Sequence, residues 1–273
     1  PKCVFITNQR NAVIEGTSSP DTTVHLFNGD EEAGTAETAA DGTFSKEIPL
    51  NKGENVITAK SSSASGTTDA SEPVRIVLDQ KKPKLTIDTP ESGSKLNKET
   101  VTVKGTVSDD HLESVHVNGK KAAVDNGEYS ARIMLDNGKN EIKVTASDAA
   151  GNKTTKKVTV DVNFEAPQIT GLKPAEDLEL KTGETVKIEF ESAADLDAVF
   201  VIRMPLTNFK TAAQNVTELP IREVSKGKYE GYWTATSTAK AKGAEIEVIV
   251  RDDYGNETRQ TAKGKLYINE KLK

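Results

Sequence analysis

Two stretches of this chain repeat each other at a nearly constant spacing. Asp41-Gly42-Thr43-Phe44-Ser45 is matched by Asn126-Gly127-Glu128-Tyr129-Ser130, with 127 against 42, or 85 positions. Asn51-Lys52-Gly53-Glu54-Asn55-Val56-Ile57-Thr58-Ala59 is matched by Asp136-Asn137-Gly138-Lys139-Asn140-Glu141-Ile142-Lys143-Val144 at the same 85. Upstream, Glu15-Gly16-Thr17 answers Lys104-Gly105-Thr106 at 89, so a small insertion or deletion lies between. A tandem duplication of this length rules out one large core, because each copy must close a core of its own. A third, looser copy follows: Asp252-Asp253-Tyr254-Gly255-Asn256 resembles Asp148-Ala149-Ala150-Gly151-Asn152, and Gly227-Lys228-Tyr229 resembles Gly127-Glu128-Tyr129. Its wider spacing places insertions mostly around Leu206 to Leu219. The 273 residues therefore read as three domains, 1–80, 81–164 and a divergent 165–273.

Proline marks the joints. Gln80-Lys81-Lys82-Pro83 and Phe164-Glu165-Ala166-Pro167 each precede a short apolar segment. Proline fixes its own φ and keeps the preceding residue extended, so these linkers are expected to be short and stiff. Within each copy the apolar period is two. Val101, Val103 and Val107 alternate with Thr102, Lys104 and Thr106, and Val186, Ile188 and Phe190 with Lys187, Glu189 and Glu191. That period belongs to strands with one buried face. Asn28-Gly29, Asn118-Gly119, Asn126-Gly127 and Asn137-Gly138 supply tight turns between them. The second copy reads as seven strands near 84–88, 101–107, 113–118, 121–124, 128–135, 139–147 and 154–162. Seven short antiparallel strands in this length predict an all-β fold of three tandem immunoglobulin-like β-sandwiches, with a small β-barrel as the structural alternative.

The alignment also assigns side chains. Phe44, Ile48 and Leu50 share a strand face, as do Tyr129, Ile133 and Leu135, and Tyr229, Trp233 and Ala235 hold the matching places in the third copy. Trp233 is thus expected in the core, whereas Tyr232 points the other way and is the candidate for stacking on a glycan. Nine of the 13 aromatic residues lie beyond residue 163, so the third copy is expected to hold the richest core and a pocket.

Charge and chemistry exclude several classes. With 36 Lys and Arg against 42 Asp and Glu, the net charge is −6, which argues against nucleic acid or an anionic membrane as the main partner. No apolar run approaches the ~20 residues of a membrane helix. One cysteine, Cys3, builds no disulfide framework. His25, His111 and His116 leave little material for catalysis or metal ligation, and His25 and His116 sit at outward positions of their strands. Gly16-Thr17-Ser18 has the letters of a subtilisin nucleophile, but Ser19-Pro20 follows it and the repeat puts Gly105-Thr106-Val107 in its place, so it reads as a strand end. No catalytic residue is assigned. The Asp-x-x-Gly-Asn elements read as hairpins whose Asp and Asn side chains cap backbone amides. The alternative is calcium, with Asp109-Asp110 or Asp125 as further oxygens. The first copy has Ser61-Ser62-Ser63-Ala64-Ser65-Gly66 there, without a carboxylate. No metal site and no cofactor is assigned.

Lys104-Gly105-Thr106, Asn118-Gly119, Gly127-Glu128-Tyr129, Leu135-Asp136-Asn137-Gly138-Lys139-Asn140 and Asp148-Ala149-Ala150-Gly151-Asn152 form a set. It resembles the bacterial Ig-like repeat named after domain B of glucodextranase, over about residues 1–163 and only loosely beyond. The whole chain also resembles the C-terminal region of a family of secreted subtilisin-like serine proteases of bacilli. That resemblance implies a non-catalytic accessory segment, for spacing or docking, whose proteolytic domain lies outside this chain. It implies the parent protease domain as partner, with cell-wall glycan or protein substrate as others, and a place outside the cell at or near the wall. The opening Pro1-Lys2-Cys3, without Met or a signal peptide, agrees with a piece of something longer. The alternatives are a glycan- or cell-wall-binding module acting through Tyr232, and a structural cell-surface repeat. Asn152-Lys153-Thr154, Asn215-Val216-Thr217 and Asn256-Glu257-Thr258 fit the N-glycosylation pattern, a coincidence in a bacterial protein.

Overall fold

A computed structural model describes residues 4–205 and 217–271. Cys3, Asn215 and most of the third-copy insertion lie outside these. The described chain is all-β and forms three tandem Ig-like sandwiches.

The first contains β1 (Val4–Thr7), β2 (Asn11–Thr17), β3 (Thr23–Asn28), β4 (Glu31–Glu37), β5 (Thr43–Pro49), β6 (Gly53–Ser63), β7 (Gly66–Thr67) and β8 (Val74–Leu78). One sheet runs β1-β8-β6-β3-β4 with β7 on β6, and the other is β2-β5 alone. Val24, Leu26, Ile57, Ile76 and Leu78 from the first meet Ile48 from the second. Ala12, Ile14 and Phe44 pack against this core only partly buried.

The second contains β9 (Lys84–Leu85), β10 (Lys95–Leu96), β11 (Thr100–Ser108), β12 (Leu112–Val117), β13 (Lys120–Lys121), β14 (Ala123–Asp125), β15 (Glu128–Met134), β16 (Gly138–Asp148) and β17 (Lys153–Val162). Its sheets run β10-β17-β16-β12-β13 and β14-β15-β11-β9. Val103, Val107, Tyr129 and Ala131 from one, and Val115, Val117, Ile142, Val144 and Ala146 from the other, are buried. Two details depart from the sequence expectation. The expected strand 121–124 is split: β13 pairs with β12 and β14 with β15, because Ala122 between them is buried and donates its N–H to Val115 O. The parallel pair β10–β17 is two residues long, too short to carry an alternation.

The third contains β18 (Thr170–Lys173), β19 (Leu178–Leu180), β20 (Thr185–Glu191), β21 (Asp197–Arg203), β22 (Leu219–Pro220), β23 (Arg222–Ser225), β24 (Lys228–Thr234), β25 (Ala241–Arg251), β26 (Glu257–Thr261) and β27 (Leu266–Ile268). Its sheets are β18-β20-β24-β23 and β19-β27-β25-β21-β22, with β26 on β25. Ile188, Phe190 and Tyr229 face Phe200, Ile246 and Val248 across one core, and the Phe190 and Tyr229 rings stack with centroids 4.9 Å apart. Trp233 packs against this core, as its alignment with Ile133 requires.

Local sequence explains the turns. Asn118 and Gly119 both adopt positive φ (46° and 83°), the mirror-image turn that suits the twist of a two-residue hairpin. The Leu-x-x-Gly-x-Asn segment is a loop closed by its own asparagine. Asn55 Nδ2 donates to Asn51 O and Gly53 O while its Oδ1 accepts from Asn51 N. Asn140 does the same with Asp136 and Gly138.

The described chain divides into two compact units: Pro1–Ser92 with Thr100–Ile133 and Glu141–Thr159, and Gly93–Glu99 with Met134–Asn140 and Val160–Lys273. Each junction between repeats falls inside one unit.

Candidate functional site

Both junctions carry the same polar clamp, built on the Asp-x-x-Gly-Asn hairpin. In the second repeat, Asp148 ends β16, fully buried. Its Oδ1 accepts from Asn152 N and its Oδ2 from Asn152 Nδ2, each at 2.8 Å. Gly151, at φ 90°, makes the turn. These bonds hold the Asn152 carboxamide rigidly, with its second N–H free to reach outward. It donates to Asp79 O in the linker at 2.9 Å, and Asn152 Oδ1 accepts from Asn8 Nδ2 of the first repeat at 3.3 Å. Gln80 Nε2 donates to Asn8 O, and Thr154 Oγ1 to Pro83 O, so the linker is held along its length. Asp79 adds a side-chain hydrogen bond: its Oδ2 lies 2.7 Å from His111 Nδ1, and its Oδ1 accepts from Lys81 N.

The second junction repeats the pattern. Asp252 accepts from Asn256 N and Nδ2, each at 2.8 Å. Asn256 Nδ2 donates to Asn163 O in the linker at 2.7 Å, and Asn97, the counterpart of Asn8, donates to Gly255 O at 3.1 Å. Asn163 Nδ2 returns to Asp252 Oδ2. Lys95 adds an ion pair with Asp253 and lies 5.2 Å over the Tyr254 ring. Chemically, the arrangement orders backbone. A linker whose carbonyls are held by a buried amide loses the freedom that a flexible connection keeps.

The expected capping of backbone amides by the hairpin Asp is present in both copies, but the outward reach of the Asn is a tertiary fact. Asn8, Asn97 and the Asp79–His111 pair went unmarked in the sequence; only the shared spacing of Asn8 and Asn97 hinted at the first two. Asn152 and Asn256 are nearly buried, with amides engaged in the clamp, which agrees with reading their glycosylation triplets as coincidence.

Of the oxygens considered for calcium, Asp109 and Asp148 do come together, joined by Asp79, with one carboxylate oxygen of each within 4.8 Å of the others. Asp125 lies in β14 and is not among them. All three carboxylates accept hydrogen bonds from the protein: Asp79 from His111 and Lys81, Asp109 from His111 N, Asp148 from Asn152. The His111 hydrogen bond, helped by the Lys81 N–H, holds the Asp79 carboxyl below its ordinary 3.8. A depressed folded-state pKa contributes stability above the unfolded value and loses it as pH falls through the folded one. Asp79→Asn is therefore expected to lower the melting temperature at pH 7, with the gap to the parent chain narrowing as the pH falls below the ordinary 3.8 and through the depressed folded-state value. Calorimetry from pH 7 down to about pH 2 checks this, and melts with millimolar calcium or with chelator are expected to coincide.

The remaining candidates are dispersed. Ser18, past the end of β2, bonds hydroxyls: its Oγ donates to Ser61 Oγ at 2.9 Å and lies 3.3 Å from Thr22 Oγ1. His25 bonds Glu32 and Ser62 on its strand's outer face. Tyr232 is 59% exposed on β24 and donates its hydroxyl to Glu230 Oε2, beside Lys187. A cleft of about 380 Å³ in the third repeat is lined by Lys173, Glu189, Phe190 and Tyr229, without Tyr232. Clefts of about 470 and 410 Å³ occur in the first and second repeats, so the third is not singled out.

Comparison with known proteins places these repeats. The family described as "Glucodextranase, domain B" matches residues 1–80 and again 83–164. Bacillopeptidase F of Bacillus subtilis (strain 168) is 64% identical over 263 residues, 96% of this chain. The chain spans only 18% of that protein's length. Among solved structures, an I-band fragment of titin aligns over 98% of this chain and 95% of its own at TM-score 0.52 and 12% identity. A three-Ig glutamate-to-alanine variant of titin aligns over 97% and 95% at 0.51 and 12%. At that identity the likeness speaks for the Ig-like fold alone.

Proposed function

We propose, from the premise that the chain belongs to the glucodextranase domain B family, that it is a non-catalytic accessory region of a secreted, subtilisin-like bacterial serine protease. Its proteolytic domain lies outside this chain. Its task is to hold that domain at a set distance and presentation outside the cell, near the wall or the protein substrate, without metal or cofactor. The observation that carries the reading is the clamp: the same hairpin, at both junctions, ties the linker that enters its own repeat. A passive string of domains has no need, at each joint, of a buried asparagine held by its hairpin aspartate and turned onto the linker. The high identity to a short stretch of a peptidase supports the protease context.

Two measurements test it. Asn152→Ala and Asn256→Ala each remove the linker bond and are expected to cost about 1–2 kcal/mol. They are also expected to broaden the distance distribution between spin labels on either side of the altered junction. Unchanged distributions would remove the spacing role. Casein hydrolysis by the purified chain, sensitive to a serine-protease inhibitor, would overturn the non-catalytic reading.

A second reading rests on the exposure of Tyr232: docking on cell-wall glycan. Aromatic–sugar stacking of this kind is expected to retain the chain on peptidoglycan, with retention lost in Tyr232→Ala. Equal pull-down of both proteins, or of neither, removes it.

A further inference from the structure

We propose that the free edge of β2 in the first repeat is an acceptor for one extended strand, supplied by polypeptide that precedes β1 in a longer parent protein. The strand runs antiparallel to β2 and sets a large aliphatic side chain opposite Ser18. The inference rests on the accessory-region reading only for the existence of that upstream polypeptide.

The other two repeats show the occupant. β9 pairs antiparallel with β11, and β18 with β20, so each second sheet has four strands. In the first repeat the equivalent sheet is β2-β5, and among the described residues nothing pairs with the other edge of β2. An unpaired strand edge presents a row of N–H and C=O groups ready for another strand.

Burial follows the same difference. Val103 and Tyr129 of the second repeat are 0% and 1% exposed, while their counterparts Ile14 and Phe44 remain half-buried. β9 contributes the buried Leu85, which pairs with Val107. The counterpart of Val107 is Ser18, and Ser18 and Phe44 line a cleft of about 180 Å³ with Ala59 and Ser61. The register that seats Leu85 in the second repeat directs an aliphatic side chain to that cleft.

Glycine records the approach. A Cβ on Gly105 would stand 2.3 Å from Thr86 O, because the first strand crosses directly over it. The counterpart Gly16 keeps the same opening, where the atoms nearest to a Cβ would be those of the Phe44 ring. Thr86 N bonds Thr106 O, and Asp88 N bonds Lys104 O. Thr17 and Glu15 are the matching acceptors on β2. One anchor is missing: Tyr129 donates its hydroxyl to Thr86 O, and Phe44 has none to give. The strand in the first repeat is thus held by backbone pairing and its aliphatic side chain.

The spacing locates the donor segment. At the offset that aligns Gly16 with Gly105, Pro1 is the sequence counterpart of Pro90, so the proposed strand is the one that polypeptide directly ahead of Pro1 would supply. The relative is several-fold longer than this chain, which leaves ample polypeptide to supply it.

The test adds a copy of residues Lys82–Thr89 directly ahead of Pro1 of the full chain, reproducing the spacing of the second repeat. The first-repeat transition is expected to rise by roughly 5 °C, and amide exchange at Glu15 and Thr17 to slow by about tenfold or more. Both gains are expected to vanish when the copied Leu85 is replaced by aspartate, and again when Gly16→Val is placed in the extended chain. An extended chain with unchanged melting and exchange overturns the proposal. A concentration-dependent dimer of the unextended chain, with protected β2 amides, assigns the edge to a second copy and also overturns it. Neither readout involves proteolysis, so this proposal and the accessory-region reading fail separately.

Discussion

Replacing Asp148 by alanine is expected to destabilise the second repeat by about 3 kcal/mol, a large fraction of the roughly 5–15 kcal/mol by which a domain is folded. The carboxylate is fully buried and accepts from Asn152 N and Asn152 Nδ2. Its removal strands two donors away from water, and hydrogen bonds to a charged group are the stronger kind. Asp148→Asn does not repair the site, since one of its side-chain ends is a donor turned toward donors. Denaturant melts of both variants check the magnitude. The carboxamide of Asn152 loses its support in either variant, so the linker bond to Asp79 O is expected to go with it. A loss under 1 kcal/mol would mean that water or a shifted backbone replaces the carboxylate, and the clamp would not be the stiffening element proposed.

Gly105→Val is expected to cost about 3 kcal/mol, near the upper end of ordinary overpacking. The added Cβ would lie 2.3 Å from Thr86 O and 2.7 Å from the Tyr129 hydroxyl. The first obstacle is backbone, so the side chain cannot turn away from it; β9 must lift, exposing Leu85. Gly16→Ala in the first repeat offers the contrast. Its Cβ would meet the half-buried Phe44 ring at 2.8 Å, and a ring at an open edge has room to shift. That variant is expected to cost at most about 1 kcal/mol. Thermal melts of the two, side by side, test whether the first strand is what makes this glycine necessary.

Much of the fold was legible because its signals are local. A period of two, broken by Asn-Gly pairs, identifies strands and hairpins without knowledge of their partners. The repeat then transferred each assignment, and Trp233 was placed in the core by its alignment with Ile133. What escaped was short or non-local. The two-residue β10 carries no pattern, and the split at Ala122 depends on a bond to Val115 O across the sheet. In the sequence His111 is one histidine of three, because its significance is a distance to Asp79, 32 positions away.

The clamp shows the same division most plainly. From the sequence alone come three copies of a strand-and-turn pattern, the Asp-x-x-Gly-Asn hairpins in two of them, and the proline-marked joints. Those depend on backbone preferences and alternation, which act over a few residues. That each hairpin asparagine reaches back to its linker, that three carboxylates converge beside His111, and that β2 keeps an edge unpaired among the described residues were decided only by tertiary structure. Each depends on which distant segments the closed cores bring within hydrogen-bonding range, and no local spacing encodes that.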